Sequence, residues 1–332
     1  MRRGSKAFGC PILASVARVG LLVFLLIIST SAFSADQVAA MLNAGRVDEA
    51  IKLLSSQVSA NPQNAEAYGQ LCRAYYFVED YDNAIANCER AIQIDPKSSK
   101  YHLWLGRALG DKADHSGPFA ALGLAKKVGP QFEQAVQLAP NDIQARTDLA
   151  EFYGSAPSMV GGSVENAKRI ADETLKLDPI AAANMRAQFA LSQKDYTTAE
   201  REAKTAIDLS KGSARSVLEL ARIYGKQKHW KEMEAAIQQA MAVPKRRPED
   251  IFFAGELLVG NGRNLTGAVE ILRTYLAGPT EEQGPAFRAY FLIGKAYEKV
   301  GDKAAAAKAY RSALELASNY RRAQEGLRHV NG

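Results

Sequence analysis

The chain has 332 residues, 47% of them hydrophobic and 23% charged. That composition excludes a disordered chain, and the length is large for one compact core. The net charge of +6 does not point to nucleic acid: residues 1–35 hold Arg2, Arg3, Lys6 and Arg18 and no acid, and removing these four from 42 basic residues leaves 38 against 36 acidic ones. The excess belongs to a terminal segment, and the remainder is nearly neutral.

That segment has the layout of a secretory signal. Basic residues come first, then the apolar run Val19 to Ile28, then the small polar stretch Ser29 to Ala35. Cleavage after Ala32 or after Ser34 suits the small residues there. The apolar run is short of the roughly 18–20 residues of a membrane span. The expected location is therefore the periplasm, with no stable membrane span after cleavage; an uncleaved signal anchor, tethering the chain to the membrane, is the alternative. Cys10 precedes the apolar run, where a lipoprotein cysteine would not be.

From Asp36 onward the pattern is helical and repeats. Between Asn61 and Ser99, Tyr68, Leu71 and Tyr75, then Ala84, Cys88 and Ala91, recur at steps of three and four residues, the spacing of one helix face. Asp80, Asp82 and Asn83 interrupt the face with turn and cap chemistry, and Asp95-Pro96 ends it. Ala50, Leu54 and Pro62 lie 34 residues before Ala84, Cys88 and Pro96. The stretch resembles the tetratricopeptide repeat, with Tyr68, Leu71, Cys72 and Tyr75 on its first helix and Ala84, Cys88, Ala91 and Pro96 on its second. The later pattern LAKK, then EFY, AP, GG and ENA, is similar to a subgroup of exported bacterial tetratricopeptide proteins.

The resemblance implies an all-α fold: a right-handed superhelical solenoid of about eight helix-turn-helix repeats with a capping helix. The repeats fall near 36–64, 65–98, 99–142, 143–181, 182–212, 213–247, 248–283 and 284–318, and the cap at 319–332. Two are interrupted. Pro140 follows Pro96 by 44 residues and Pro179 follows Pro140 by 39, placing insertions within 110–130 and 154–165. In the first, Phe119 to Lys127 reads as a short extra helix packed back through Phe119, Leu122 and Leu124, and Pro130 then opens the next helix. The second, around Ala156-Pro157 and Gly161-Gly162, is the preferred function-specific element.

In the family, first helices line a concave groove. The corresponding positions here include Arg73, Lys100, Arg107, Arg215, Arg222, Arg288 and Lys295, a basic set within a nearly neutral chain. The expected partner is a protein or peptide whose acidic segment or C-terminal carboxylate meets these cations; the alternative is that the cations pair with acids of neighbouring repeats. Tyr76 reads as a groove anchor or as ordinary packing. Gly69, Leu103 and Thr147 depart from the Lys and Asn pattern of chaperone-binding relatives. Cys72 and Cys88 fall on facing family positions, so they form a disulfide or remain buried thiols.

No catalytic chemistry is legible. His102, His115, His229 and His329 share no ligand spacing, so no metal is expected. Gly260, Gly262 and Gly267 lack the lysine of a phosphate loop, and no nucleophile motif surrounds Ser155, Ser158 or Ser163. Asp111 and Glu151 read as lone solvated acids. The expectation is a non-enzyme without cofactor that binds a protein or peptide as an envelope scaffold or assembly adaptor, not nucleic acid. A small-ligand or glycan-binding accessory to an envelope enzyme is the alternative.

Overall fold

Alternating turn chemistry and small-residue crossings produce a chain of antiparallel helix pairs. A computed structural model describes residues 37–244 and 246–332; the export segment read at 1–35, with Cys10 and both cleavage positions, lies outside the described residues. The pairs are α1 (37–43) with α2 (Val47–Ala60), α3 (Ala65–Phe77) with α4 (Tyr81–Ile94), and α5 (Ser99–Asp114) with α6 (Pro118–Leu138). They continue as α7 (Ile143–Ser155) with α8 (Val164–Thr174), α9 (Pro179–Ser192) with α10 (Tyr196–Leu209), and α11 (Ala214–Gln227) with α12 (Trp230–Ala242). The last are α13 (Pro248–Asn261) with α14 (Leu265–Leu276) and α15 (Ala286–Val300) with α16 (Lys303–Leu316), followed by α17 (Arg321–Asn331). There is no β-strand among the described residues.

Local chemistry sets these boundaries. The side chains of Asn64, Asp80, Asp142, Asp178, Asp195 and Asp302 each accept a hydrogen bond from a backbone N–H of the first turn they precede. Ala84, Ala91, Ala199 and Ala240 are fully buried where helices cross. At two crossings the approach is closer still. A β-carbon on Gly106 would lie 2.5 Å from the Phe132 ring, and one on Gly294 would lie 2.5 Å from the Tyr310 ring. The aromatic ring of the second helix fills the space that glycine leaves on the first.

The first insertion differs from expectation. Phe119 to Lys127 is not a separate helix; it is the first half of α6, a continuous helix of 21 residues with Pro130 inside it. Pro130 forfeits one backbone hydrogen bond, while Val128 and Phe132 on either side are buried and hold the helix in place. Nor does the extension pack back through Phe119, which is 96% exposed, or through Leu122, which is also exposed. Only Leu124 of the three rests against the core. The second insertion holds a single 3-10 turn, Ser158–Val160, whose Val160 is buried.

The two ends of the stack meet. Val38, Leu42, Val47, Leu54 and Leu71 share one core with Phe287, Phe291, Tyr310, Tyr320 and Ala323. Gly45, with φ of +72°, brings the α1–α2 turn against the start of α15, where a β-carbon would lie 2.7 Å from the Ala286 nitrogen. The Ser318 N–H donates to Asp48 at 2.8 Å, the Thr280 hydroxyl donates to the Asn43 carbonyl at 2.6 Å, and Arg322 pairs with Glu79 at 3.1 Å. The solenoid is therefore closed into a ring, and each end covers the apolar face of the other.

Beside this seam, Cys72 on α3 and Cys88 on α4 are joined as a disulfide with Cα atoms 5.2 Å apart. The bond closes a loop across a separation of 16 residues, for which chain entropy gives about 3 kcal/mol. Cys72→Ala with Cys88→Ala should lower the denaturant midpoint accordingly, and reductant should lower the wild-type midpoint but not the variant's. Guanidinium unfolding with and without reductant checks this; equal wild-type midpoints in both conditions would contradict it.

Candidate functional site

The first helices face the interior of the ring, and their polar side chains converge there. On α3 and α5, Arg73 and Arg107 lie over the Trp104 ring, 5.4 and 4.5 Å from its centroid. Tyr76 packs edge-on against the same indole at 5.3 Å and turns its hydroxyl toward Asp111. Arg107 pairs with Asp148 of α7 at 2.5 Å, and Gln144 donates to the other Asp148 oxygen at 2.9 Å. A cavity of about 560 Å³ opens beside these groups, lined by Tyr76, Arg107, Asp111, Asp148, Glu151 and Phe152, among others. Its remaining wall comes from the two insertions: Ala125 and Val128 of the lengthened α6, and Ala156, Pro157 and Val160 around the 3-10 turn. A second hollow of about 330 Å³ shares Glu151 and Ser155 with the first and continues along α9, the start of α10 and α11, past Gln188, Phe189, Tyr196 and Lys226.

Electrostatics within this wall are set by loss of water. Burial raises the Asp111 carboxyl, and the Tyr76 hydroxyl and Arg107 oppose the rise. Glu151 keeps contact with solvent, yet it stands deep in the concave wall. Desolvation first, then the charges of Asp148, Glu219 and Asp111, raise its carboxyl, while Arg222 lowers it. The Tyr76 phenol is pushed far above its ordinary value, by burial first and then by Asp111. These groups feel one another, so the inner wall behaves as one coupled patch.

Two stretches match the model for the tetratricopeptide repeat, residues 65–98 and 287–320. These two stretches are tetratricopeptide repeats. Among curated proteins it is similar to the cellulose synthase operon protein C of Escherichia coli (strain K12), at 42% identity over 65 residues, which is 20% of this chain and 6% of that protein. It is also similar to the serine/threonine-protein phosphatase 5 of Rattus norvegicus, at 32% identity over 104 residues, 31% of this chain and 19% of that protein. The chain thus spans a small part of the relatives it matches. Among solved structures, yeast Tom70 aligns over 90% of this chain and 81% of its own, with 14% identity and a TM-score of 0.48. A tetratricopeptide repeat protein of Parabacteroides merdae aligns over 81% of this chain and all of its own, with 17% identity and a TM-score of 0.43.

The basic residues expected to line the tetratricopeptide groove are brought to it unevenly. Arg73, Tyr76 and Arg107 cluster around Trp104. Arg222 is drawn to Glu219 on its own helix at 2.9 Å. Arg215 pairs with Asp250 at 3.0 Å and lies over Phe253, and Arg288 pairs with Glu256 at 2.7 Å and lies over Phe252. Lys295 meets Glu298 at 3.5 Å. Lys100 is exposed and makes none of the ion pairs seen among the described residues. Most of the basic set is thus neutralised by the chain's own acids. Asp111 and Glu151, expected to be ordinary solvated acids, are instead held at raised values within the wall. Trp104, Asp148 and Glu282 are site residues that the sequence pattern did not single out.

The raised Glu151 carboxyl has a measurable sign. A carboxyl raised on folding favours the fold below the ordinary carboxylate range, and that contribution is lost as pH rises through its raised value. Glu151→Gln should therefore be more thermostable than wild type at pH 7 and equal to it below about pH 4, where both side chains are neutral. Melting temperatures at the two pH values check this; a less stable variant at pH 7, or a gap independent of pH, would contradict it.

Proposed function

We propose that this chain is a non-catalytic scaffold or assembly adaptor of the bacterial cell envelope that holds a protein or peptide against its inner wall. The observation that carries the reading is the pair of hollows that share Glu151 and Ser155 and run from Tyr76 to Lys226, built where the two insertions meet. Its lining mixes aromatic faces with charged and amide groups, as suits an extended peptide. The partner presents an acidic segment or C-terminal carboxylate toward Arg73 and Arg107, and a cation or hydrogen-bond donor toward Glu151. The export layout of residues 1–35 and the Cys72–Cys88 disulfide support a periplasmic location, since disulfides persist in oxidising compartments.

A second reading is a small-ligand or glycan-binding accessory of an envelope enzyme. It draws on the cavity of about 560 Å³ with the Tyr76 and Phe152 walls, and on the likeness to a protein named for a cellulose synthase operon.

A photo-crosslinking residue placed at Gln188, inside the groove, should trap a discrete protein adduct in the envelope fraction of intact cells. The same residue at Lys204, on the hollow beside Glu200 and Asp208, should not. Equal yields at both positions, or no protein adduct at Gln188, would contradict the scaffold reading. A bound saccharide recovered by mass spectrometry in that second case would favour the glycan reading.

A further inference from the structure

The segment between α14 and α15 carries Pro279 and Pro285 at its flanks and is tied down at its base. The buried Tyr275 hydroxyl accepts from the Glu281 N–H at 2.7 Å and donates to the Gly284 carbonyl at 2.5 Å. On the other side the Thr280 hydroxyl holds the Asn43 carbonyl. Glu282, between these anchors, is only 7% exposed. Its carboxylate crosses the seam to the Arg73 guanidinium, 209 residues away in the chain, and the Arg107 charge also acts on it. Both guanidinium groups lie over Trp104. A carboxylate therefore already sits on the basic cluster beside the cavity, and it belongs to the chain itself.

The fit is incomplete. The Glu282 Oε1 and the Arg73 Nε are both buried, and neither has a hydrogen-bond partner. A guanidinium meets a free carboxylate best through two parallel bonds that would use both of these atoms. The anchored loop delivers one bond and leaves a donor and an acceptor unmatched, an arrangement that favours exchange for a better-placed acid.

We propose that Arg73, Trp104 and Arg107 form a subsite for an acidic side chain of a protein partner, and that Glu282 is its resident occupant, displaced when that side chain docks. The proposal rests on the peptide-binding reading of the inner wall. Displacement requires rotation of the Glu282 side chain alone, because the loop base stays tied to Tyr275 and Asn43. The occupant lowers the apparent affinity for every acidic partner by the fraction of time that it fills the subsite, so only a partner that also engages the rest of the groove is held.

The chain has two tryptophans, so Trp230→Phe leaves Trp104 as the sole indole reporter. The probe is a hexaglutamate peptide blocked at both ends, titrated at fixed salt while Trp104 emission and the anisotropy of a dye on the peptide are followed. Glu282→Gln should bind about tenfold more tightly than the parent. Glu282→Asp should fall between them, and a hexaglutamine peptide should not bind. Adding Arg73→Gln or Arg107→Gln to Glu282→Gln should remove the gain. The inference is overturned if natively folded Glu282→Gln and Glu282→Asp bind no more tightly than the parent, or if the gain survives loss of either arginine. If Glu282→Gln misfolds, Glu282→Asp alone carries the test. The Gln188 adduct separates the two levels: an adduct that persists while the hexaglutamate response is absent rejects the subsite alone, whereas loss of both rejects the peptide-binding reading as well.

Discussion

Closure of the ring is the constraint on which the rest depends. A stack of helix pairs has two apolar end faces, and each must be covered. Here Phe287, Tyr310 and Tyr320, all fully buried, join Val38, Val47 and Leu54 in one core. Burying a large apolar side chain contributes roughly 1.5–3 kcal/mol, so a handful of these residues outweighs the surface ion pairs around them, each contributing about 0–1 kcal/mol. The polar seam contacts, Asp48 with the Ser318 N–H and Glu79 with Arg322, align the ends; the aromatic core holds them together.

Closure curls the first helices into an inner wall whose side chains partly shield one another from solvent. Water is reduced inside it, which explains why burial is the leading cause of the raised carboxyls of Asp111, Glu151 and Glu282. The same loss of water makes unpaired cations unfavourable there. Arg73, Arg107 and Arg222 accordingly find acids within the chain, and two of them also rest on Trp104. The insertions matter because they lie in adjacent repeats. The extra turns of α6 and the 3-10 turn after α7 form one side of the cavity beside Glu151, which gives the ring one differentiated sector.

Much of the fold was legible in the sequence because it is local. Tyr68, Leu71 and Cys72, with Ala84 and Cys88, specify a helix pair within one repeat, and the 34-residue offset to Ala50, Leu54 and Pro62 carries it to the next. The continuity of α6 was not legible, since Pro130 is a reliable breaker unless flanking burial overrides it, as Val128 and Phe132 do. The seam was hidden for a different reason. Asn43 with Thr280 and Arg73 with Glu282 are contacts between residues more than 200 positions apart, and no periodicity announces them. The site suffered accordingly: the basic inner positions could be read from repeat phase, whereas the acids that neutralise them arrive from other helices and loops.

Ring closure is open to one direct distance measurement. Lys52 on α2 and Asn319 before α17 are exposed residues on the two sides of the seam, and spin labels at Lys52→Cys and Asn319→Cys, with the native disulfide intact, report their separation in solution. A closed ring predicts a single short distance, within about 30 Å. An open stack, whose seven repeat-to-repeat steps are each about 8–10 Å, would place the labels ~50 Å or more apart, and a distribution centred there would contradict the closed ring.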